Sequence, residues 1–276
     1  MNLSDNHIKQ FAKAYLIFAT LNFIWLAITQ QLLSNLQPIF FTNTLDATAF
    51  IFRLTGIQQA ILNYKWVQIL LDSCFLMLPF LLCIFACYHR SLMFWTALLT
   101  VLFNCFFAIF YTSVSYMTIG MFQAWTLIPM VLCCKTYKGF YFNLHSIRII
   151  ILFILVSAAT WKIYRGGIFN NSEMSSILLK QHTNYLVSDP QNAYSKFIFF
   201  FIRNISYSYV VYILGFMAEL VFIIGFFTTK WDRYFIIILI VFALFDYIFM
   251  QINLFCWMPF CLCFWFSKLT FFTKVD

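Results

Sequence analysis

Runs of about twenty residues with almost nothing but hydrocarbon side chains recur along this chain, and a water-soluble fold cannot hide so many of them. The chain is 63% hydrophobic and 9% charged over 276 residues, so it needs lipid as solvent. The runs are unbroken and the glycines and prolines isolated, whereas a membrane barrel would show segments of about ten residues alternating with period two. The expected fold is therefore all-α: one polytopic transmembrane helical bundle over residues 1–276, with about eight spans and a range of about six to eight. The spans are expected near residues 10–30, 66–88, 91–115, 118–134, 147–163, 206–228, 232–250 and 252–267. The fourth and eighth are short and contain Pro129 and Pro259, which suits a tilted, kinked or re-entrant segment. The first apolar stretch lacks a small-residue cleavage site after it and reads as a retained helix.

The net charge of +8 does not point to nucleic acid, because the 17 basic residues are scattered at span ends and never form a run or stripe. Membrane topology explains them. Lys9, Lys13, Arg90, Lys135, Lys138, Arg148, Lys230, Arg233, Lys268 and Lys274 crowd short segments expected on the cytoplasmic side, together with both termini. Arg53, Lys65, Lys162, Arg165, Lys180, Lys196 and Arg203 are diluted through or beside two longer segments, 31–65 and 164–206, expected on the outer face.

The second of these segments should contain a short amphipathic helix, opened by Asn171-Ser172-Glu173 with Ser172 as cap and running through His182. Asp189-Pro190 marks a turn. The helix's apolar face, Met174, Ile177 and Leu178, either lies on the membrane surface or folds over the bundle. His182 is expected to be a solvated helix-end residue.

The nine cysteines lie in or beside apolar runs and read as small buried hydrophobes. Cys83 and Cys87 share a helix face and Cys261 and Cys263 diverge; either pair has the donors to bind a metal or cycle a disulfide, but without accompanying histidines the signal is weak. The four histidines are dispersed, and the chain carries no convincing phosphate loop, nucleophile elbow, zincin motif or dinucleotide fingerprint.

What remains is a small set of ionisable groups in costly places. Glu219 is near the centre of its span, Asp246 is nearer the outer end of the next, and Asp72 is about two turns into its own. A carboxylate at mid-membrane costs about 2.5–3.5 kcal/mol, so each should be paired, neutral or turned inward. Each either braces a helix pair, with Asn104, Gln123, Asn253 or a tyrosine hydroxyl as partner, or lines a polar cavity. Lys162 closes the apolar run before it. It is either an anchor reaching the headgroups beside Trp161, or a general base whose amine is made available by desolvation. Lys162 and Asp246, both near outer helix ends, are the expected close pair, with Glu219 deeper.

From Ala158 to about Phe266 a span ends in "AATWKIY"; an amphipathic helix, "NNSEMSSILLKQH", follows; then come spans containing "GFMAELVFIIGFF" and "FDYIFMQINLF". This order of segments resembles the membrane portion of the vitamin K-dependent gamma-carboxylase family and its bacterial relatives, the horizontally transferred transmembrane (HTTM) domain proteins. The resemblance implies that Lys162 is the base that deprotonates a reduced quinone on the outer side of a bacterial inner membrane. Glu219 and Asp246 would be acid or hydrogen-bonding partners, with Tyr164, Asn253 and Trp161 around the ligand. Many family members have a histidine where this chain has Asp246. Some bacterial relatives serve maturation of a secreted toxin, which implies as an alternative a non-enzymatic subunit for processing, export or immunity of an exported peptide. "GFMAELVFIIGFFTTKWDR" is also similar to the DoxX membrane family, linked to quinone or thiol redox chemistry.

Overall fold

A computed structural model describes residues 3–36, 47–115 and 119–267; Lys268, Lys274 and residues 37–46 of the first long segment lie outside the described residues. The described chain is helical throughout. Its α-helices are α1 (Leu3–Ile28), α2 (Ala47–Leu54), α3 (Ile57–Asn63), α4 (Lys65–Tyr88), α5 (Arg90–Val114), α6 (Gln123–Met130), α7 (Tyr137–Tyr164), α8 (Glu173–Ser188), α9 (Ala193–Arg203), α10 (Ile205–Leu220), α11 (Asp232–Met250) and α12 (Cys261–Phe266), with 3-10 stretches between some of them.

Among the described residues six helices are long and apolar enough to cross a bilayer: α1, α4, α5, α7, α10 with its 3-10 extension to Phe226, and α11. Their outward faces carry hydrocarbon at helical spacing, as with Ile17, Leu21, Ile24 and Ile28 along α1 and Tyr234, Ile237, Val241 and Ile248 along α11. Water would not tolerate stripes of that length, and lipid does. The chain is a polytopic helical integral membrane protein.

It divides into two compact units, Met1–Ile147 with Phe255–Asp276, and Arg148–Leu254. In the first, α1 packs on α4 and α12, α4 on α5, and α5 on α6. Its core is aromatic: Phe75 stacks on Phe107 with ring centroids 4.8 Å apart, and Trp125 fills the space between Phe75 and Tyr15. The Asn104 amide donates to the Trp125 carbonyl at 2.6 Å, which gives this buried amide a partner inside the core.

Side-chain contacts show which helix ends lie together in this unit. His7 of α1 and Tyr141 of α7 are hydrogen-bonded at 2.5 Å, and Arg90 at the start of α5 donates to the Tyr137 hydroxyl at 2.6 Å. At the other end Tyr111 donates to the Gln31 carbonyl at 2.7 Å. The chain leaving α5 must therefore return across the unit before α7 begins, and the 3-10 turn Ile119–Phe122 followed by α6 makes that return. Leu254–Phe266 makes a second one. Trp257 donates to the Gly120 carbonyl at the far end, while Phe266 packs edge-on to Phe11 and His7 near the start of α1. Each return is about 20–23 Å long, against a hydrocarbon core of ~30 Å. The fourth and eighth expected spans are thus short traverses, and six full-length helices remain.

Among the described residues Asp72 takes none of its expected side-chain partners. Its carboxylate accepts the backbone N–H groups of Leu33 (3.1 Å) and Ser34 (2.9 Å), and Lys65 donates to the Ser34 carbonyl, so the turn after α1 is tied to α4.

In the second unit the 164–206 segment holds two helices rather than one. Ser172 makes no side-chain cap; Asn170 organises the turn instead, accepting from the Ser172 N–H and hydroxyl and donating to Glu173. Met174 and Leu178 are buried with Ile198 and Tyr212, so α8 folds over α10 and does not lie loose on a surface.

Asp72→Ala should lower the unfolding free energy by about 1–3 kcal/mol, because one buried and one half-buried N–H group lose their acceptor, and Asp72→Asn should cost less because one carbonyl acceptor survives. Thermal unfolding of the detergent-solubilised protein checks the order.

Candidate functional site

The second unit is pinned by an ion pair that sequence reasoning overlooked. Arg148 reads as a loop charge only if the helix begins near residue 147. The helix begins at Tyr137, so Arg148 lies well inside α7 with its side chain fully buried. Nε donates to Asp232 Oδ2 at 2.8 Å, and Nη2 donates to Oδ1 at 2.6 Å and to the Thr228 carbonyl at 2.9 Å. Asp232 opens α11, where the helix dipole also favours a carboxylate. A little farther along, a Cβ on Gly225 would fall 2.6 Å from Leu152 and 3.0 Å from Phe235, so glycine is what lets the 3-10 stretch after α10 approach both neighbours.

This anchor sets the height of the residues beyond it. Lys162 follows Arg148 by fourteen residues (162 − 148), and Asp246 follows Asp232 by the same interval (246 − 232). Fourteen residues rise about 21 Å and fall about 40° short of four whole turns. Lys162 and Asp246 therefore come back to nearly the faces and the common level that Arg148 and Asp232 occupy at the other end.

The buried face of α10, Tyr212, Phe216 and Glu219, brings the third group to this level. The Lys162 ammonium donates to both Glu219 oxygens at 2.8 Å. The Glu219 side chain is 6% exposed and that of Lys162 29%. Asp246 is half-buried and within electrostatic reach of both, and its carboxylate makes no hydrogen bond among the described residues. The expected Lys162–Asp246 pair is thus replaced by Lys162–Glu219 with Asp246 alongside. Glu219 lies in the last turn of α10, just before the 3-10 extension to Phe226, and there it meets the last turn of α7.

The turn after α7 covers this cluster. Tyr212 places its ring 5.8 Å from Lys162 Nζ, a cation–π distance. Its hydroxyl would be 2.7 Å from a Cβ on Gly167, so that position has room only for glycine, and Tyr209 donates to the Ile168 carbonyl at 2.7 Å. The α8–α9 hairpin caps the last turn of α11. Tyr194 donates to the Ile248 carbonyl at 2.9 Å, His182 Nε2 bonds the Phe249 carbonyl at 2.7 Å, and Gln181 donates to the Met250 carbonyl. These carbonyls have no partner within their own helix. Burial pushes the Tyr194 phenol up from its ordinary pKa, which keeps it a proton-bearing donor. His182, expected to be solvated, is 2% exposed, because its position is set by where α11 ends in space.

The two aromatic residues expected around the ligand lie elsewhere. Trp161 and Tyr164 stack at 5.5 Å on an exposed face of α7, with the Arg165 guanidinium 4.7 Å over Trp161. Trp161 is about 100° around the helix from Lys162. Asn253 is half-buried in the connection that follows α11. The structure therefore brings together Lys162, Glu219 and Asp246, and leaves Trp161 and Tyr164 on another face. Among the described residues no three His, Cys, Asp or Glu side chains converge as a metal site requires. Chemically, one ammonium beside two carboxylates can hold a proton in transit and steady an anion.

No family profile, curated protein or solved structure matches this chain.

Arg148→Met should destabilise the protein by about 3–5 kcal/mol, since it strands the buried Asp232 carboxylate. The double variant Arg148→Met/Asp232→Leu should recover most of that loss. A double-mutant cycle on thermal unfolding in detergent reads the difference.

Proposed function

We propose that this chain is an HTTM-type membrane protein whose Arg148–Leu254 unit carries a gamma-carboxylase-like proton-transfer site for a lipid-soluble quinol, facing the extracytoplasmic side of a bacterial inner membrane. The observation that carries this reading is the grouping of Lys162, Glu219 and Asp246 at one level of three spanning helices. Ionisable groups at such positions are expensive and mark proton or substrate paths. One lysine cannot neutralise two carboxylates, so the cluster holds either a spare proton or a spare negative charge.

The hydrogen bonding divides the roles. Lys162, held by both Glu219 oxygens, is placed to steady an oxyanion, which departs from the base that the family resemblance implies. Asp246, whose carboxylate makes no hydrogen bond among the described residues, is the acceptor for a substrate proton. An apolar groove of about 800 Å³ along α10 and α11 includes Ala218 and Phe245, the residues preceding Glu219 and Asp246, and suits a hydrocarbon tail whose polar head reaches the cluster. A reduced quinone would supply an acidic O–H there. The sequence resemblance and the clustering of basic residues in short segments support the family and the orientation in this reading.

The same two-point ion pair also favours a second reading, in which Lys162 and Glu219 brace α7 against α10 in a non-enzymatic subunit or DoxX-like redox component, and an exported peptide or partner protein docks elsewhere.

Mass spectrometry of lipids and quinones retained by the detergent-purified protein separates the two. A proton-transfer site predicts near-stoichiometric quinone in the wild type and at least about tenfold less in Lys162→Ala and Asp246→Asn, with Asp246→Asn as stable as wild type. No quinone in any sample, with Lys162→Arg fully tolerated, would sink the enzyme reading and leave the brace.

A further inference from the structure

We infer that the first unit carries a binding site for one anionic phospholipid, in the cavity between the start of α5 and the turn that precedes α7. This inference is independent of the function proposed for the second unit. The cavity has a volume of about 720 Å³ and is lined by Arg90, Ser91, Phe94, Trp95, Cys134 and Lys135, a set with two cations and no carboxylate. That is ample for a phosphodiester and its glycerol.

Arg90 is already set for this task. Its Nη1 donates to the Tyr137 hydroxyl, its guanidinium lies 4.1 Å over the Tyr137 ring, and its Nη2 donates to the Lys135 carbonyl at 3.5 Å. These contacts hold the planar cation in one orientation, so little side-chain entropy is lost when it meets a phosphate. The Lys135 ammonium has no ion-pair partner among the described residues and lies 5.8 Å from the Phe94 ring.

The surface that continues from the cavity identifies a lipid rather than a soluble phosphate. Leu92, Trp95, Leu99 and Leu102 follow one another at helical spacing along the exposed face of α5. A phosphate between Arg90 and Lys135 would leave its acyl chains along that stripe, with Trp95 at the level between headgroup and hydrocarbon. Basic pockets at the ends of spanning helices hold anionic headgroups by this combination of charge and apolar contact.

The test places the full chain in phosphatidylcholine nanodiscs containing a graded fraction of phosphatidylglycerol and counts retained lipids by native mass spectrometry. One phosphatidylglycerol should be retained in preference to phosphatidylcholine. Arg90→Gln and Lys135→Gln should each weaken that preference about fivefold, and the double variant about thirtyfold. Arg90→Lys should keep part of it. Lys138→Gln, which removes a nearby exposed cation outside the lining, should leave it unchanged. Equal retention of the two lipids, or an equal loss in Lys138→Gln, would overturn the site. Displacement of the lipid by inorganic phosphate would overturn the lipid assignment in favour of a free-anion site. Should a variant fail to fold, the wild type still decides: its preference must fall as ionic strength rises.

Discussion

A guanidinium and a carboxylate removed from water cost several kcal/mol each, and Arg148 and Asp232 recover that cost by meeting in a two-point geometry, with the Thr228 carbonyl accepting a further bond from Nη2. Such a pair tolerates no sliding. A shift of one residue in either helix would move its partner by about 1.5 Å and turn it by about 100°, which breaks both bonds. The pair therefore acts as a register pin between α7 and α11. Lys162 and Asp246 lie fourteen residues beyond their respective pinned ends and inherit the register. The level at which three ionisable groups gather is thus determined about 21 Å away from them.

The rest of the second unit closes around that level with helix ends rather than with full spans. α7 stops just past Lys162, and a Gly-Gly turn carries the chain over the cluster, where Tyr212 leaves no room for a side chain at Gly167. The α8–α9 hairpin then places Tyr194, His182 and Gln181 on the last carbonyls of α11. In lipid an unsatisfied carbonyl is costly, so an exposed helix end must find donors somewhere. Here the donors come from the hairpin, which makes the end of α11 and the cover of the cluster a single construction. The first unit obeys the same rule differently, with Asp72 supplying acceptors to the turn after α1 and an aromatic interior supplying bulk.

Helical class, span positions and the costly charges were legible in the chain because each follows from local physics. About twenty apolar residues span a bilayer whatever their neighbours do, and a carboxylate inside such a run needs a reason wherever it ends up. Arg148 reads as a loop charge in the sequence because its helix extends back through Tyr137-Lys-Gly-Phe, a stretch polar enough to pass for a loop. Its apolar flank, Ile149 to Val156, was the available signal, together with the matching interval between Arg148–Lys162 and Asp232–Asp246. His182 gave no such signal, since nothing near it in sequence indicates a carbonyl belonging to Phe249.

The chain by itself determined that this protein lives in lipid, that it does so as helices, and that Lys162, Glu219 and Asp246 would have to be accounted for. Hydrophobicity and helix length act within a segment and need no knowledge of its neighbours. Only the tertiary structure decided that Glu219 rather than Asp246 grips Lys162, that two proline-bearing segments are short traverses, and that Trp161 and Tyr164 face away. Those outcomes depend on the relative heights and rotations of helices, and these are set by long-range contacts such as Arg148 with Asp232, across 84 residues of sequence.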